Sequence, residues 1–313
     1  MDTPLTIQVR NLKKYFGRTK AVDDISFSFE SGHVFGFVGP NGAGKTTTLR
    51  VMATLEEPTA GDILMDGVSV REDPEEARRI VGFVPDTLPS HSDMSVHEYL
   101  DFFGRAYGLH GKALRQAVGN VEEFTGLTEM QEKLLKSLSK GMKQRVSLAR
   151  SLVHDPAVLI MDEPAAGLDP RARVEFRELV LALAGLGKAI LVSSHILTEL
   201  TEIIDGVVII ECGKLLRTGS IEEVLSKEAE KRSVAIRSLG EQEDLKHTLL
   251  QMPGIEDVRE SGTELHVDIT GPEEMSCTVL SDLVQRGHNI LEFKQLQTDL
   301  EDVFMRVTTG KLQ

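Results

Sequence analysis

The sequence predicts an α/β protein: a first domain with a mostly parallel core sheet, an antiparallel β layer and a helical insertion, followed by a small α+β domain. Three observations predict it. Val34–Val38, Val158–Met161 and Ala189–Val192 are unbroken apolar runs, the pattern of parallel strands buried on both faces. The stretch from about Ser90 to Leu152 has helical spacing and no strand-like run. After Val234 the pattern alternates as β-α-β-β-α-β, the split ferredoxin-like arrangement.

Taken in order, Ile25 to Phe29 alternates apolar residues with Ser26 and Ser28, which gives a half-buried strand of the antiparallel layer. Val34–Val38 runs into Gly39-Pro40-Asn41-Gly42, and from Thr46 onward Leu49, Met52 and Leu55 fall on one side of a helix. The insertion, about 90–152, opens with a capping box: Ser95 and Glu98 are spaced so that each side chain satisfies the other's orphan backbone donor. Tyr99, Leu100, Phe102 and Phe103 then supply apolar surface. Between the last two core strands, Phe176, Leu179, Val180 and Leu183 keep the i, i+3, i+4, i+7 spacing of a helix that faces a sheet.

The first domain is expected over 1–220, a linker over 221–232 and the second domain over 233–313. The charge-rich Glu222 to Arg232 reads equally as a helix. In the second domain Val234–Arg237, Ile255–Val258, Leu265–Ile269 and Ile290–Phe293 are expected strands. Glu243–Gln251 and Glu273–Gln285 are expected helices, with a last short one around Leu300 to Val307.

Composition narrows the function classes. At 313 residues the chain has room for about two domains. With 41% hydrophobic and 27% charged residues it is neither collagenous nor wholly disordered. The 35 Lys and Arg against 49 Asp and Glu leave a net charge of −14, which disfavours nucleic acid as a partner because that affinity comes from neutralised phosphates. The absence of Trp and the presence of only 3 Tyr leave few platforms for stacking bases. Cys212 and Cys277 form neither a disulfide framework nor a metal spacing, so a reducing cytoplasm is expected. The N-terminal MDTPLTIQVR is not a secretory signal, and the longest apolar runs fall well short of the about 20 residues of a membrane helix.

Gly39-Pro40-Asn41-Gly42-Ala43-Gly44-Lys45-Thr46 matches the P-loop pattern and stands where it must, between an apolar strand and a helix. Outside that context it would be a glycine-rich turn. In it, glycines let backbone N–H groups curl round a phosphate at a helix N-terminus, Lys45 brings a positive charge to the β and γ phosphates, and Thr46 offers its hydroxyl to Mg²⁺. Leu159-Ile160-Met161-Asp162-Glu163-Pro164 is an apolar strand ending in two acids. In isolation a solvated strand end is the alternative reading. Beside a P-loop, Asp162 is expected to orient the Mg²⁺ shell and Glu163 to activate the attacking water.

With these residues in place the sequence resembles the ATP-binding subunits of ABC transporters, and Leu138-Ser139-Lys140-Gly141-Met142-Lys143-Gln144-Arg145 looks like their signature segment. The resemblance implies that Ser139 and Gly141 contact ATP held by the opposite subunit, while Lys140 and Met142 replace the commoner Gly and Gln. Read by itself, Ser139 is a helix cap before Val146, Ala149 and Leu152. Ala166-Gly167-Leu168-Asp169 looks like the D-loop, with Asp169 aligning the two subunits, and His195 follows its strand as the switch histidine does. Phe16 matches the aromatic that stacks on adenine, Tyr15 being the alternative. Asp86 in Gly82-Phe83-Val84-Pro85-Asp86 stands where the family usually has Gln.

The implied ATP contacts are Phe16, Gly39, Pro40, Asn41, Gly42, Ala43, Gly44, Lys45, Thr46 and Thr47; the catalytic residues are Glu163, His195 and Lys45; the metal ligands are Thr46, Asp86 and Asp162. The resemblance is strong from about 5 to 220, while the tail with Leu300-Glu301-Asp302-Val303-Phe304 is similar to an accessory domain of export-type subunits or is simply an amphipathic helix. It implies an ATPase with ATP and Mg²⁺ as cofactors, working as a homodimer or heterodimer on a separate permease, for export, at the cytoplasmic face of the cell membrane. The permease is expected to dock near Asp86 and the helices from Ser95 to Leu109. A soluble ABC ATPase acting on ribosomes or DNA is the rival, and a non-hydrolysing sensor is opposed by intact Lys45, Asp162, Glu163 and His195.

Overall fold

The computed structural model describes residues 4–88, 93–226, 231–240, 242–272, 274–296 and 300–308. The chain divides into two compact units, the body of the first being Met1–Ser220 and the second Ile221–Arg306.

In the first unit, β1 (Thr6–Phe16), β2 (Thr19–Glu30), β4 (Ala60–Met65) and β5 (Val68–Ser69) form the antiparallel layer, in the order β2-β1-β4-β5. β3 (Val34–Val38), β6 (Val81–Val84), β7 (Val158–Met161), β8 (Ala189–Ser194), β9 (Gly206–Glu211) and β10 (Lys214–Ser220) form a second sheet in the order β10-β9-β3-β8-β7-β6. Every pairing in it is parallel except the hairpin of β9 with β10. α1 (Lys45–Met52) shares one core with both sheets: Leu49 and Met52 meet Ile7, Phe27, Phe37 and Ile160 in a single buried cluster. α1 ends sooner than its apolar spacing suggests, because Thr54 takes a positive φ of 59° and the chain turns, leaving Leu55 exposed.

α2 (Pro74–Ile80) leads into β6, and α3 (Val96–Ala106), α4 (Gly111–Phe124) and α5 (Lys140–Leu152) make the helical insertion. The Ser95–Glu98 capping box forms in full, Glu98 N–H donating to Ser95 Oγ and Ser95 N–H to Glu98 Oε2 at 2.8 Å. Residues 90–92 of the expected insertion lie outside the described residues. The insertion is tied to the sheet through β6, an edge strand with one strand neighbour. Arg150 of α5 donates to Phe83 O at 2.7 Å, and His154, just beyond α5, lies 3.1 Å from Val81 O through Nε2. The same two side chains meet aromatics of the α3 region: Arg150 lies 5.3 Å from the Phe103 ring centroid, and His154 stacks on Tyr107 at 3.8 Å. Burial and the cations Lys188 and Arg150 push the His154 pKa down against the opposing bond to Val81, so the ring is neutral with its proton on Nε2, the tautomer that the carbonyl requires. α6 (Pro170–Gly185) then packs between β7 and β8 in sequence, burying Phe176, Val180 and Leu183.

The second unit opens with α7 (Ile221–Ser226), and residues 227–230 of the expected linker lie outside the described residues. It continues as β11 (Lys231–Ser238), α8 (Gln242–Leu250), β12 (Ile255–Ser261), β13 (Glu264–Thr270), α9 (Glu274–Gln285), β14 (Ile290–Leu296) and α10 (Leu300–Val307). The expected start of α9 at Glu273 lies outside the described residues. The sheet is antiparallel throughout, in the order β12-β13-β11-β14, as a ferredoxin-like βαββαβ chain requires. One face is apolar: Val234, Ile236, Leu265, Val267 and Ile269 pack with Leu245 and Leu249 of α8 and Val279 and Leu283 of α9. Alternation sends Ser233 and Asp268 to the other face. There Asp268 accepts from Arg306 of α10 at 3.1 Å, from Arg259 at 2.9 Å and from the Ser233 hydroxyl.

Asp268→Ala leaves the Arg306 and Ser233 donors without their buried acceptor. It is expected to destabilise the second unit by about 2–3 kcal/mol, the value of hydrogen bonds to a charged group. Amide hydrogen exchange of β11 and β13 measures this, and wild-type protection in the variant would refute it.

Candidate functional site

Four neighbouring parallel strands release their loops at one edge of the sheet. β3 ends at Val38 beside Ser194 of β8, Val192 of β8 stands beside Met161 of β7, and Met161 stands beside Val84 of β6. The residues that follow these ends are the P-loop, His195, Asp162 with Glu163, and Asp86. In open α/β sheets ligands bind at the carboxyl ends of the strands, and here a cavity of about 560 Å³ lies there, within the roughly 300–1,000 Å³ of ordinary ligand sites. Asn41, Gly42, Ala43, Gly44, Lys45, Thr46 and Thr47 line it from the P-loop side, and Asp86, Asp162, Glu163 and His195 from the strand ends.

The P-loop takes its shape from Gly44. Its φ is +101°, and a Cβ there would stand 2.3 Å from Ala21 O, so neither backbone nor space admits a side chain. Gly44 is the N-cap of α1 and supplies no side-chain bond to the first turn, which leaves backbone N–H groups free for an anion. Lys45 is 6% exposed and donates to Gly39 O at 2.7 Å and Pro40 O at 3.3 Å. Glu163 Oε1 lies 3.5 Å from its Nζ. Burial pulls the Lys45 pKa down, and the charges of Glu163 and Asp162 oppose that shift.

Asp162 is 4% exposed, and burial pushes its carboxyl pKa up. Hydrogen bonds from Ser193 and Thr46 oppose that shift, while the charges of Asp86 and Glu163 add to it. Glu163 has a left-handed backbone, φ +47°, unusual for a residue with a side chain. Ser193 holds the turn: its Oγ donates to Asp162 Oδ1 at 2.8 Å and accepts from Glu163 N–H at 2.9 Å. His195 Nδ1 lies 2.8 Å from Glu163 Oε2, so the glutamate meets the histidine through one carboxylate oxygen and Lys45 through the other.

The acceptors gathered here are oxygens, the carboxylates of Asp162 and Asp86 and the hydroxyl of Thr46, a hard donor set that suits Mg²⁺. Among the described residues no group of three or more His, Cys, Asp and Glu could hold a metal ion, so phosphate oxygens would complete its shell.

Other expected residues lie apart. Phe16 is 48% exposed at the end of β1, with Lys14 Nζ 4.7 Å from its ring centroid, and is not part of the cavity wall; Ala21 is. Tyr15 donates its hydroxyl to Asp23 at 2.6 Å. Ser139 caps α5 by accepting from Met142 N–H at 3.3 Å. Gly141 lies so near α6 that a Cβ would come 2.9 Å from Ala172 Cβ. Asp169 caps α6 by accepting from Ala172 N–H at 2.9 Å. Four cavity residues were not among the expected site residues: Ala21, Thr87, next to Asp86, Lys140, which showed only as a departure at Ser139-Lys140-Gly141, and Ala166, which showed only as the start of Ala166-Gly167-Leu168-Asp169. Ser193, which braces both acids, was missed because it reads as ordinary strand.

The family pattern described as ABC transporter matches residues 22–166. The chain is 35% identical over 312 residues to the Nod factor export ATP-binding protein I of Ralstonia nicotianae, covering 100% of this chain and 96% of that protein. It is 31% identical over 310 residues to the linearmycin resistance ATP-binding protein LnrL of Bacillus subtilis, covering 98% and 99% of the two chains. Among solved structures, an ATP-binding subunit of an ABC transporter superposes with a TM-score of 0.65 at 28% identity over 71% of this chain and 93% of its own. An ATP-binding cassette in its ADP conformation gives 0.64 at 26% identity over the same shares. The relatives align from end to end and the solved cassettes carry the same fold; the chain belongs to the ABC transporter family, as an ATP-binding subunit that hydrolyses ATP.

Proposed function

We propose that this subunit powers export through a separate membrane permease, and that it works as a dimer, of two copies or with a similar subunit. Two ATP molecules lie between one subunit's P-loop and the other's Ser139 and Gly141, with Asp169 aligning the halves. The observation that carries the proposal is the meeting of Lys45, Asp162, Glu163 and His195 in one cavity at the N-terminus of α1. Export is the activity in the names of relatives that align over nearly the whole chain. Among the described residues no helix is long and apolar enough to cross a membrane, which fits a permease on another chain and a place for this subunit at the cytoplasmic face. The permease docks near Asp86 and the helices from Ser95 to Leu109.

In the proposed mechanism the P-loop from Gly39 to Thr47 wraps the phosphates with backbone N–H groups, and Phe16 stacks on adenine. Lys45 gives up its bonds to Gly39 O and Pro40 O and turns to the β and γ oxygens, which relieves the penalty of its burial. Thr46, Asp162 and Asp86 would hold Mg²⁺, which when bound neutralises phosphate charge and polarises the γ-phosphoryl group. Glu163 accepts a proton from the attacking water, and His195, bonded to Oε2, orients that carboxylate and faces the γ-phosphate. Ser193 fixes the angle between the two acids.

Glu163→Gln keeps the shape and loses the base. Turnover is expected to fall by about 10² to 10⁴ while ATP still binds, and the ATP-loaded chain should dimerise. Light scattering with Mg²⁺ and ATP tests this; a monomer with undiminished turnover would remove Glu163 from the role.

Asp86→Ala is expected to raise the Mg²⁺ needed for half-maximal hydrolysis and to leave metal-free nucleotide binding unchanged, with Asp86→Gln between the two because its carbonyl oxygen remains a hard ligand. Superimposable Mg²⁺ titrations of all three proteins would sink the metal role.

Ser193→Ala removes both braces. kcat is expected to fall about tenfold or more with the ATP Kd within about twofold, since a hydrogen bond to a charged group is worth roughly 1.5–3 kcal/mol. Steady-state hydrolysis beside a nucleotide titration checks the split, and an unchanged kcat counts against it.

A further inference from the structure

The P-loop is held from behind by a turn that comes far later in the sequence. Glu211 of β9 pairs with Lys214 of β10, so only Cys212 and Gly213 join the two strands. Both have a left-handed backbone, φ +49° at Cys212 and +74° at Gly213, which is the requirement of the tight I′ turn that suits a twisted hairpin. Glycine meets that requirement freely, whereas a cysteine there is uncommon. Gly213 spends both of its backbone groups on neighbouring elements: its N–H donates to Ala43 O of the P-loop at 3.0 Å, and its carbonyl accepts from Asp23 N–H of β2 at 2.7 Å.

The hairpin lies close against both ends of the loop. A Cβ on Gly39 would stand 2.3 Å from Ile210 O of β9, and one on Gly44 would stand 3.6 Å from Gly213 Cα. The bond to Ala43 O has a consequence for the next peptide group. A trans peptide points its N–H opposite its C=O, so an Ala43 carbonyl turned toward Gly213 sends the Gly44 N–H the other way, to the side on which Gly44 lines the cavity. That N–H donates to no acceptor among the described residues. An unspent backbone donor, aimed by a fixed bond, is what a phosphate meets at a helix N-terminus.

We propose that Gly213 is a positioning residue of the nucleotide site: its N–H, held in place by the Cys212-Gly213 turn, sets the Ala43–Gly44 peptide so that the Gly44 N–H meets the phosphates. The proposal rests on the binding of ATP by the P-loop and adds to it a residue that is not part of the cavity wall. Asp23 ties the same turn to β1, because its carboxylate accepts the Tyr15 hydroxyl at 2.6 Å while its N–H holds Gly213 O.

The test compares the full wild-type chain with Cys212→Val and Cys212→Asn, with a fluorescent ATP analogue as the probe. Valine resists a positive φ and should open the turn, whereas asparagine accepts it and gives Asn-Gly, the preferred I′ pair. In Cys212→Val the Kd of the analogue and the KM for ATP are expected to rise about tenfold or more, the worth of a hydrogen bond to a charged group, with kcat at saturating ATP within about twofold. Cys212→Asn should stay within about twofold of wild type in all three. Amide spectra should show the Gly213 N–H protected from exchange in the wild type with and without nucleotide, the Gly44 N–H shifting when the analogue binds, and the Gly213 N–H exposed in Cys212→Val. Wild-type affinity in Cys212→Val, an equal loss in Cys212→Asn, or a fall in kcat in place of a rise in Kd would each overturn the proposal. Should circular dichroism find Cys212→Val unfolded, the wild-type spectra decide: a fast-exchanging Gly213 N–H or a Gly44 N–H unmoved by the analogue overturns the assignment, and a protected and a shifted one uphold it. A wild-type chain that binds no ATP analogue would overturn the nucleotide site itself, an outcome visible before any variant is compared.

Discussion

Because β6, β7, β8 and β3 run side by side in the same direction, the loops that leave them open onto one edge of the sheet, and the chemistry of the molecule follows from that. A parallel strand needs a long crossover before the next can lie beside it, so residues far apart in sequence, Lys45 and His195 among them, arrive together only through strand order. The apolar runs that build these strands bury both faces, which leaves the strand ends as the place where polar groups gather.

The groups at that edge are held away from their ordinary charge balance. Asp162 has its carboxyl pushed up by burial and by neighbouring acids, and Lys45 has its ammonium pulled down by burial. Each is bonded meanwhile to protein atoms, the lysine to carbonyls of its own loop and the aspartate to Ser193. These are substitutes for the partners a triphosphate and a cation would supply, so the protein keeps the site assembled without ligand at the expense of two shifted protonation equilibria. The left-handed backbone of Glu163 adds strain of the kind that accumulates where geometry matters more than local comfort.

Much of this was legible in the sequence because each chemical residue directly follows a run of apolar ones. Lys45 follows Val34–Val38 and its glycines, Asp162 and Glu163 follow Val158–Met161, and His195 follows the strand that begins at Ala189. The ferredoxin-like order of the second unit was readable for a similar reason, each strand there being bounded by a helix or a glycine turn. What escaped has a physical cause in each case. β1 carries Arg10, Asn11, Lys13 and Lys14 and is broken by register shifts, so no alternation marks it. β6 has four residues, too few for a period to show. Ser193 acts through a hydroxyl inside a strand that is buried along its whole length, and sequence spacing does not reveal a brace of that kind. Lys140 reaches the cavity through its long side chain from the start of a helix, and only a folded chain shows where such a side chain ends.

The bonds from Arg150 and His154 to Phe83 O and Val81 O have a further effect on the sheet as an object in solution. A strand at the border of a sheet offers a row of free carbonyls and amides to any extended segment of another molecule, and long open borders of this type are where proteins join strand to strand and aggregate. β6 is short, and two of its outward carbonyls are already taken by side chains that are themselves packed on aromatic rings. The six-stranded sheet is therefore sealed on that side by a helix, and it cannot grow there by recruiting a neighbour's strand unless α5 first lets go.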